Sequence, residues 1–419
     1  MMKKQIVTFF LMLLPVVASA ETVIIDGICY NLNDENNVAE VTRNPNKYVG
    51  EIVIPDTVSY EGVEFCVTAI KDGAFEECIA LTSVTIPNSV TSIGYEAFKG
   101  CSDLASISIG DNVVLIDGYA FFGCSSLTSV TIPNSVRAIC YRAFEGCSSL
   151  TSITIPEGVY VIDACVFKGC SSLSSVTLPN SISFIDDEAF RECSSLASIT
   201  IPDNVYTIGE IAFLGCTSLA SVTIGTNVQS IGLGAFARCT GLTSVVIPDG
   251  VERIGESAFA YCSNLTTVSI GSGVKFIMQK AFESCPNLKD FYCYSECVPY
   301  TGVLVFRESY IEKATLHVQE PSDYDNREPW KNFEKIEALA DITGLNGIQS
   351  DGVRIQAVGG VLAIEGAVEG TPVIVYDTTG RLLASAMTTK QAARIATSLR
   401  KGAVAIVKVG DRVEKVVMK

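Results

Sequence analysis

The 419-residue chain is poor in the groups on which most protein chemistry depends: one histidine, one tryptophan and only 18% charged residues. With His317 as the single histidine, no His-based catalytic group or His-rich metal site can be assembled. Basic residues are scarce, 30 Lys and Arg against 46 Asp and Glu. The resulting formal charge of −16 excludes nucleic acid and simple electrostatic docking on an anionic membrane. No Walker-type glycine loop, H-E-x-x-H or nucleophile elbow occurs, so no enzymatic activity and no cofactor or metal is expected. Past residue 20 no apolar run approaches the roughly 18 residues of a membrane-spanning helix.

The first twenty residues stand apart. Lys3 and Lys4, the apolar run from Ile6 to Val17, and Ala18-Ser19-Ala20 have the layout of a secretory signal peptide. Residues 1–20 are therefore expected to be removed, leaving a soluble mature chain that is secreted or held at the outer cell surface.

What the chain has in abundance is repetition. Cysteine falls at 78, 101, 124, 147, 170, 193, 216, 239, 262 and 285, always 23 residues apart. Phenylalanine keeps the same beat from Phe75 to Phe282, leucine from Leu81 to Leu288, and isoleucine from Ile93 to Ile277. Within one copy, Leu81, Val84 and Ile86 fit the L-x-x-L-x-L template with Ser83 and Thr85 alternating outward. Pro87 ends that strand because it cannot donate to a neighbouring ladder. The following Ile93, Ala97, Phe98 and Cys101 predict a short helical or 3₁₀-like return.

No 23-residue unit can bury both its faces alone, so the units must stack. The expected fold is an α/β solenoid, a right-handed leucine-rich-repeat array of about ten 23-residue coils with one parallel sheet. The boundaries are an amino-terminal β cap at 21–66, the array at 67–292 and a carboxy-terminal cap at 293–340. Residues 341–419 alternate strands with Gly-rich turns and predict a small β-sandwich. Its charge sign reverses: ten basic against six acidic residues at 342–419, but 11 against 21 at 67–292.

The recurrent cysteine lies between inward Phe and Leu, where a free thiol serves as a small apolar filler. Disulfides between adjacent coils are the alternative that export would favour, but the columns show no pairwise alternation. Cys29 with Cys66, and Cys293 with Cys297, leave two readings open: a local disulfide in each pair, or further buried thiols. Trp330 reads as a plug for the last coil, and His317 as pointing outward from a strand. Asp186, Asp187 and Glu188 read as a solvated turn.

The coil "AFKGCSDLASISIGDNVVLI", with Phe98, Cys101, Leu104, Ile107, Ile109 and Ile116 in place, resembles the BspA-type leucine-rich repeat over roughly residues 22–340. The resemblance implies a surface protein of oral or gut anaerobic bacteria, some relatives of which adhere to fibronectin and fibrinogen. It brings no catalytic residues with it. "VYDTTGRLL", "LRKGAVAIVKV" and the closing "KVVMK" resemble a type IX secretion sorting domain, with Ala403 and Val404 where an aromatic is usual.

The leading functional reading is adhesion to a host or neighbouring-cell protein, including extracellular matrix, through the exposed sheet face. Its candidate residues are Ser83, Thr85, Ser106, Ser108, Ser129, Thr131, Ser152, Thr154, Ser175, Thr177, Thr200 and Thr223. Glycan capture is the alternative, disfavoured because that strip carries no aromatic residue for sugar stacking, and a purely structural spacer is the third.

Overall fold

The computed structural model describes residues 21–295 and 297–339 and, beyond them, chiefly the strands between 354 and 417. The leader at 1–20 and the linker at 340–350 lie outside the described residues.

Two faces of each coil are β. Strands such as Leu81–Thr85, Ser106–Ser108, Ser152–Thr154 and Ser244–Ile247 pair in parallel with their 23-residue neighbours on one face. On the other face two-residue strands, from Ser92–Ile93 to Tyr300–Thr301, form a second parallel ladder in two stretches that part between Ala138–Ile139 and Val161–Ile162. The expected helical return is absent, and the reason lies in the backbone. Each return carries two residues at positive φ, for example Glu96 at 55° and Gly100 at 73°, then Tyr119 at 56° and Gly123 at 71°. An α-helix cannot run through the left-handed region. Alternate amides instead close i→i+3 turns (Ala97 N–H to the Gly94 carbonyl) or reach the next coil (Phe98 N–H to the Ala120 carbonyl, 2.7 Å). The class is a β-rich solenoid with little helix.

Inside, one column of rings runs the length of the array. Phe75, Phe98, Phe121 and their successors to Phe306 stack at centroid separations of 4.7 to 5.8 Å, tilted by no more than 15°. Beside them the cysteines do more than fill space. Each thiol from Cys101 to Cys285 donates to the carbonyl of the phenylalanine 26 residues earlier, at 3.0 to 3.3 Å. All sixteen cysteines are free. Cys29 and Cys293 are buried while Cys66 and Cys297 are exposed, so neither terminal pair is a disulfide.

The strand ladder also outruns the ten regular coils. Gly50–Val53 joins its front edge, and Thr315–Val318 and Lys335–Ala338 extend its far end past Asp290–Cys293, the strand of the tenth coil. Periodicity missed the later coils because spacing slips there: Phe306 follows Phe282 by 24 residues. At the front, Glu21–Ile25 and Ile28–Asn33 make an antiparallel hairpin whose Asp26-Gly27 turn needs positive φ at both residues, 48° and 82°. At the back, Trp330 is 1% exposed and packs on Phe291, Phe306, Tyr324 and Phe333, closing the core. The strands beyond 354 have their own core of Leu362, Ile364, Val373, Val375 and Val407.

Candidate functional site

The strip forms as the period-two strands dictate, with side chains in register across coils. Ser83 pairs with Ser106 and Ser106 with Ser129; Ser152 pairs with Ser175, and Thr154 with Thr177. Thr200 pairs with Thr223, and beside them Ser198 and Ser221 complete the serine column on the same 23-residue spacing. Both were legible and were omitted from the candidates above. Of the twelve candidates eleven are exposed and Ser83 is half-buried.

Their hydroxyls engage no hydrogen bond among the described residues. The contrast is one residue upstream, where Thr128, Thr151 and Ser174 donate to the carbonyls of the preceding coil at 3.1 to 3.5 Å. That inner column holds coil to coil, whereas the outer two columns engage no partner among the described residues. Seven coils from Thr85 to Thr223 give a polar strip ~29 Å long at ~4.8 Å per coil.

Past Thr223 the same face is covered. Ser269 is 2% exposed, and Ser244, Thr267 and Tyr292 are half-buried. The strand Leu382–Met387 lies beside Ser244–Ile247, and Tyr376 hydrogen-bonds Tyr292, whose phenol is pushed up in pKa chiefly by burial. His317 faces out of its strand as expected, stacks on Tyr292 at 4.3 Å and pairs with Asp290 at 2.9 Å. The carboxy-terminal sandwich thus sits on the distal strip.

The acidic trio is occupied as a turn. Asp186 accepts from the Asp187 N–H, Asp187 from the Glu210 N–H, and Glu188 pairs with Lys168 at 2.7 Å and Arg191 at 2.9 Å. The hydrogen bond from Lys168 holds the Glu188 carboxyl below its ordinary pKa. Among the described residues, no cluster of three His, Cys, Asp or Glu could hold a metal, and no helix is long and apolar enough to cross a membrane.

Sequence reasoning missed the aromatics of the second face. Tyr160, Phe184, Tyr206, Phe276 and Tyr300 are all exposed there. Phe184, Phe276 and Tyr300 share one outward column of the two-residue strands; Tyr160 and Tyr206 share the next, one residue upstream. The columns were there to be read on the 23-residue spacing, but their residue type varies from coil to coil.

The BspA type leucine rich repeat region matches residues 68–197 and 185–312, in six copies. A leucine-rich repeat protein from Bacteroides ovatus is 26% identical, with a TM-score of 0.55 over 76% of this chain and 100% of that one. A leucine rich cell surface protein from Faecalibacterium prausnitzii is 26% identical, with a TM-score of 0.46 over 77% of this chain and 96% of that one. The pneumococcal vaccine antigen PcpA is 19% identical, with a TM-score of 0.45 over 76% and 85% of the two chains. No curated protein matches the sequence.

Proposed function

Because the chain belongs to the BspA-type leucine-rich repeat family, we propose that it is a surface-displayed interaction protein whose seven-coil hydroxyl strip binds a protein partner. One observation carries this reading: the strip from Thr85 to Thr223 is exposed and made of hydroxyls that the fold leaves unbonded. Such a surface can meet the donors and acceptors of an extended protein segment without any rearrangement of its own. The partner is a host or neighbouring-cell surface protein, including those of the extracellular matrix. The carboxy-terminal sandwich serves display, a role supported by its resemblance to a sorting domain.

The test is binding of the mature chain, residues 21–419, to a panel of immobilised matrix proteins. Thr154→Arg and Thr177→Arg place a bulky charge in mid-strip and should abolish capture while leaving the melting temperature within a few degrees. Capture that persists unchanged in both variants refutes the strip as the binding surface.

A further inference from the structure

We propose that the second sheet carries a separate binding trough for an extended oligosaccharide lacking carboxylate and sulfate groups. A trough of about 600 Å³ crosses the short strands from the Asp187 coil to the Gly302 coil. Its floor is bare backbone because Gly209, Gly232 and Gly255 follow one another at a position that is Gly94 in the first coil but Asp117, Cys140, Asp163 and Asp186 in the next four. Glycine is required there by close approach: a Cβ on Gly232 would lie 2.6 Å from the Gly209 carbonyl carbon.

One side of the trough is lined by Thr207, Ser230, Arg253 and Tyr300, members of a single column in register that Phe184 continues past Thr207 and in which Phe276 stands between Arg253 and Tyr300. Aromatics bracket it. Phe184 (47% exposed) lies 6.2 Å from Tyr206, and Phe276 (44% exposed) lies 6.3 Å from Tyr300. The two phenylalanines are four coil steps apart, ~19 Å at ~4.8 Å per step, a span suited to a short oligosaccharide. Between them the column is polar, and Glu210 and Glu256 stand on the opposite wall.

This arrangement suits a sugar chain for three reasons. A pyranose presents a C–H face to an aromatic ring and hydroxyls to its sides, and here rings stand at both ends with polar groups between. Glu210, Arg253 and Glu256 form no ion pair among the described residues, so they are open to accept from and donate to hydroxyls. The carboxylates Asp187, Glu210 and Glu256 outnumber the one guanidinium, Arg253, on a chain of net charge −16, which repels uronate, sialate and sulfate. A peptide fits less well. It gains affinity by adding to a sheet edge, whereas this trough runs across strands whose backbone groups are already paired.

The ligand and face are independent of the protein-binding strip, so Thr177→Arg distinguishes the two. Mature full-length chain is titrated with neutral gluco-, manno- and galacto-oligosaccharides, with heparin fragments and oligogalacturonate, and with an oligolysine peptide. At least one neutral oligosaccharide should bind, unaffected by Thr177→Arg and weakened about tenfold or more by Phe184→Ala and by Phe276→Ala. Both rings are exposed, and unchanged melting curves confirm that the variants fold. The proposal is overturned if no neutral oligosaccharide binds, if only the acidic glycans or oligolysine bind, or if neither phenylalanine substitution weakens binding.

Discussion

Cysteine shows most clearly what a single side chain contributes to this molecule. From Cys101 to Cys285 each ladder thiol fills a gap between rings and donates a weak hydrogen bond to the neighbouring coil, and both roles require it to keep its proton. Burial pushes Cys101, Cys216 and Cys285 from an ordinary 9.0 up to about 12, and Cys147, Cys170 and Cys239 well above 9.0. A thiol whose pKa is raised by folding ionises first in the unfolded chain. Its contribution is complete below pH 9 and is lost as pH climbs towards 12. Each of the three thiols at about 12 should then reduce stability by about 1.4 kcal/mol per pH unit in that window. Urea midpoints measured from pH 7 to 11 should stay level to about pH 9 and then fall steeply. At neutral pH, iodoacetamide should label Cys66 and Cys297 rapidly and the ten ladder thiols only after denaturation. Labelling of the ladder in the native protein at the rate of those two would contradict a closed core.

At the scale of one coil, inward and outward positions should differ sharply in cost. Phe167 is fully buried between Phe144 and Phe190, so Phe167→Ala should cost about 3–5 kcal/mol. Thr177 is exposed and unbonded, so Thr177→Ala should stay within about 0.5 kcal/mol. Equal losses in denaturant melts would mean that the two faces are misassigned. The inward set was legible because Phe, Cys, Leu and Ile recur without insertion, and repetition is the one signal that survives in a single sequence. The return was misread because Glu96, Tyr119 and Arg142 hold left-handed backbone without being glycine, so composition gave no warning. The trough was hidden for another reason. It arises because Gly209, Gly232 and Gly255 fall on three adjacent coils after four that carry Asp or Cys there, a run that no single coil reveals.

For the whole molecule, the question is how the carboxy-terminal sandwich relates to the array. Its core is separate, and its contact with the array includes Tyr376 on Tyr292 and the strand at Leu382–Met387 beside Ser244–Ile247. Nothing in the local sequence announced that contact, because strip residues look alike whether a distant module covers them or not. A chain ending at Ala340 should fold and melt within a few degrees of full length, while Tyr292 and His317 become exposed. In the native host the truncated chain should accumulate in the periplasm. Normal surface levels would show that the sandwich does not direct display.

The equal length of the coils has a mechanical consequence. A protein tethered at one end and gripped at the other is loaded along the axis on which the coils are stacked, so the bonds between coils bear the pull in series. The weakest junction then yields first, and each coil that peels away pays out 23 residues, roughly 75 Å of slack. Drawn apart by its ends, the molecule should lengthen in even steps of about that size rather than in one rupture, and a single-molecule force trace would count its coils.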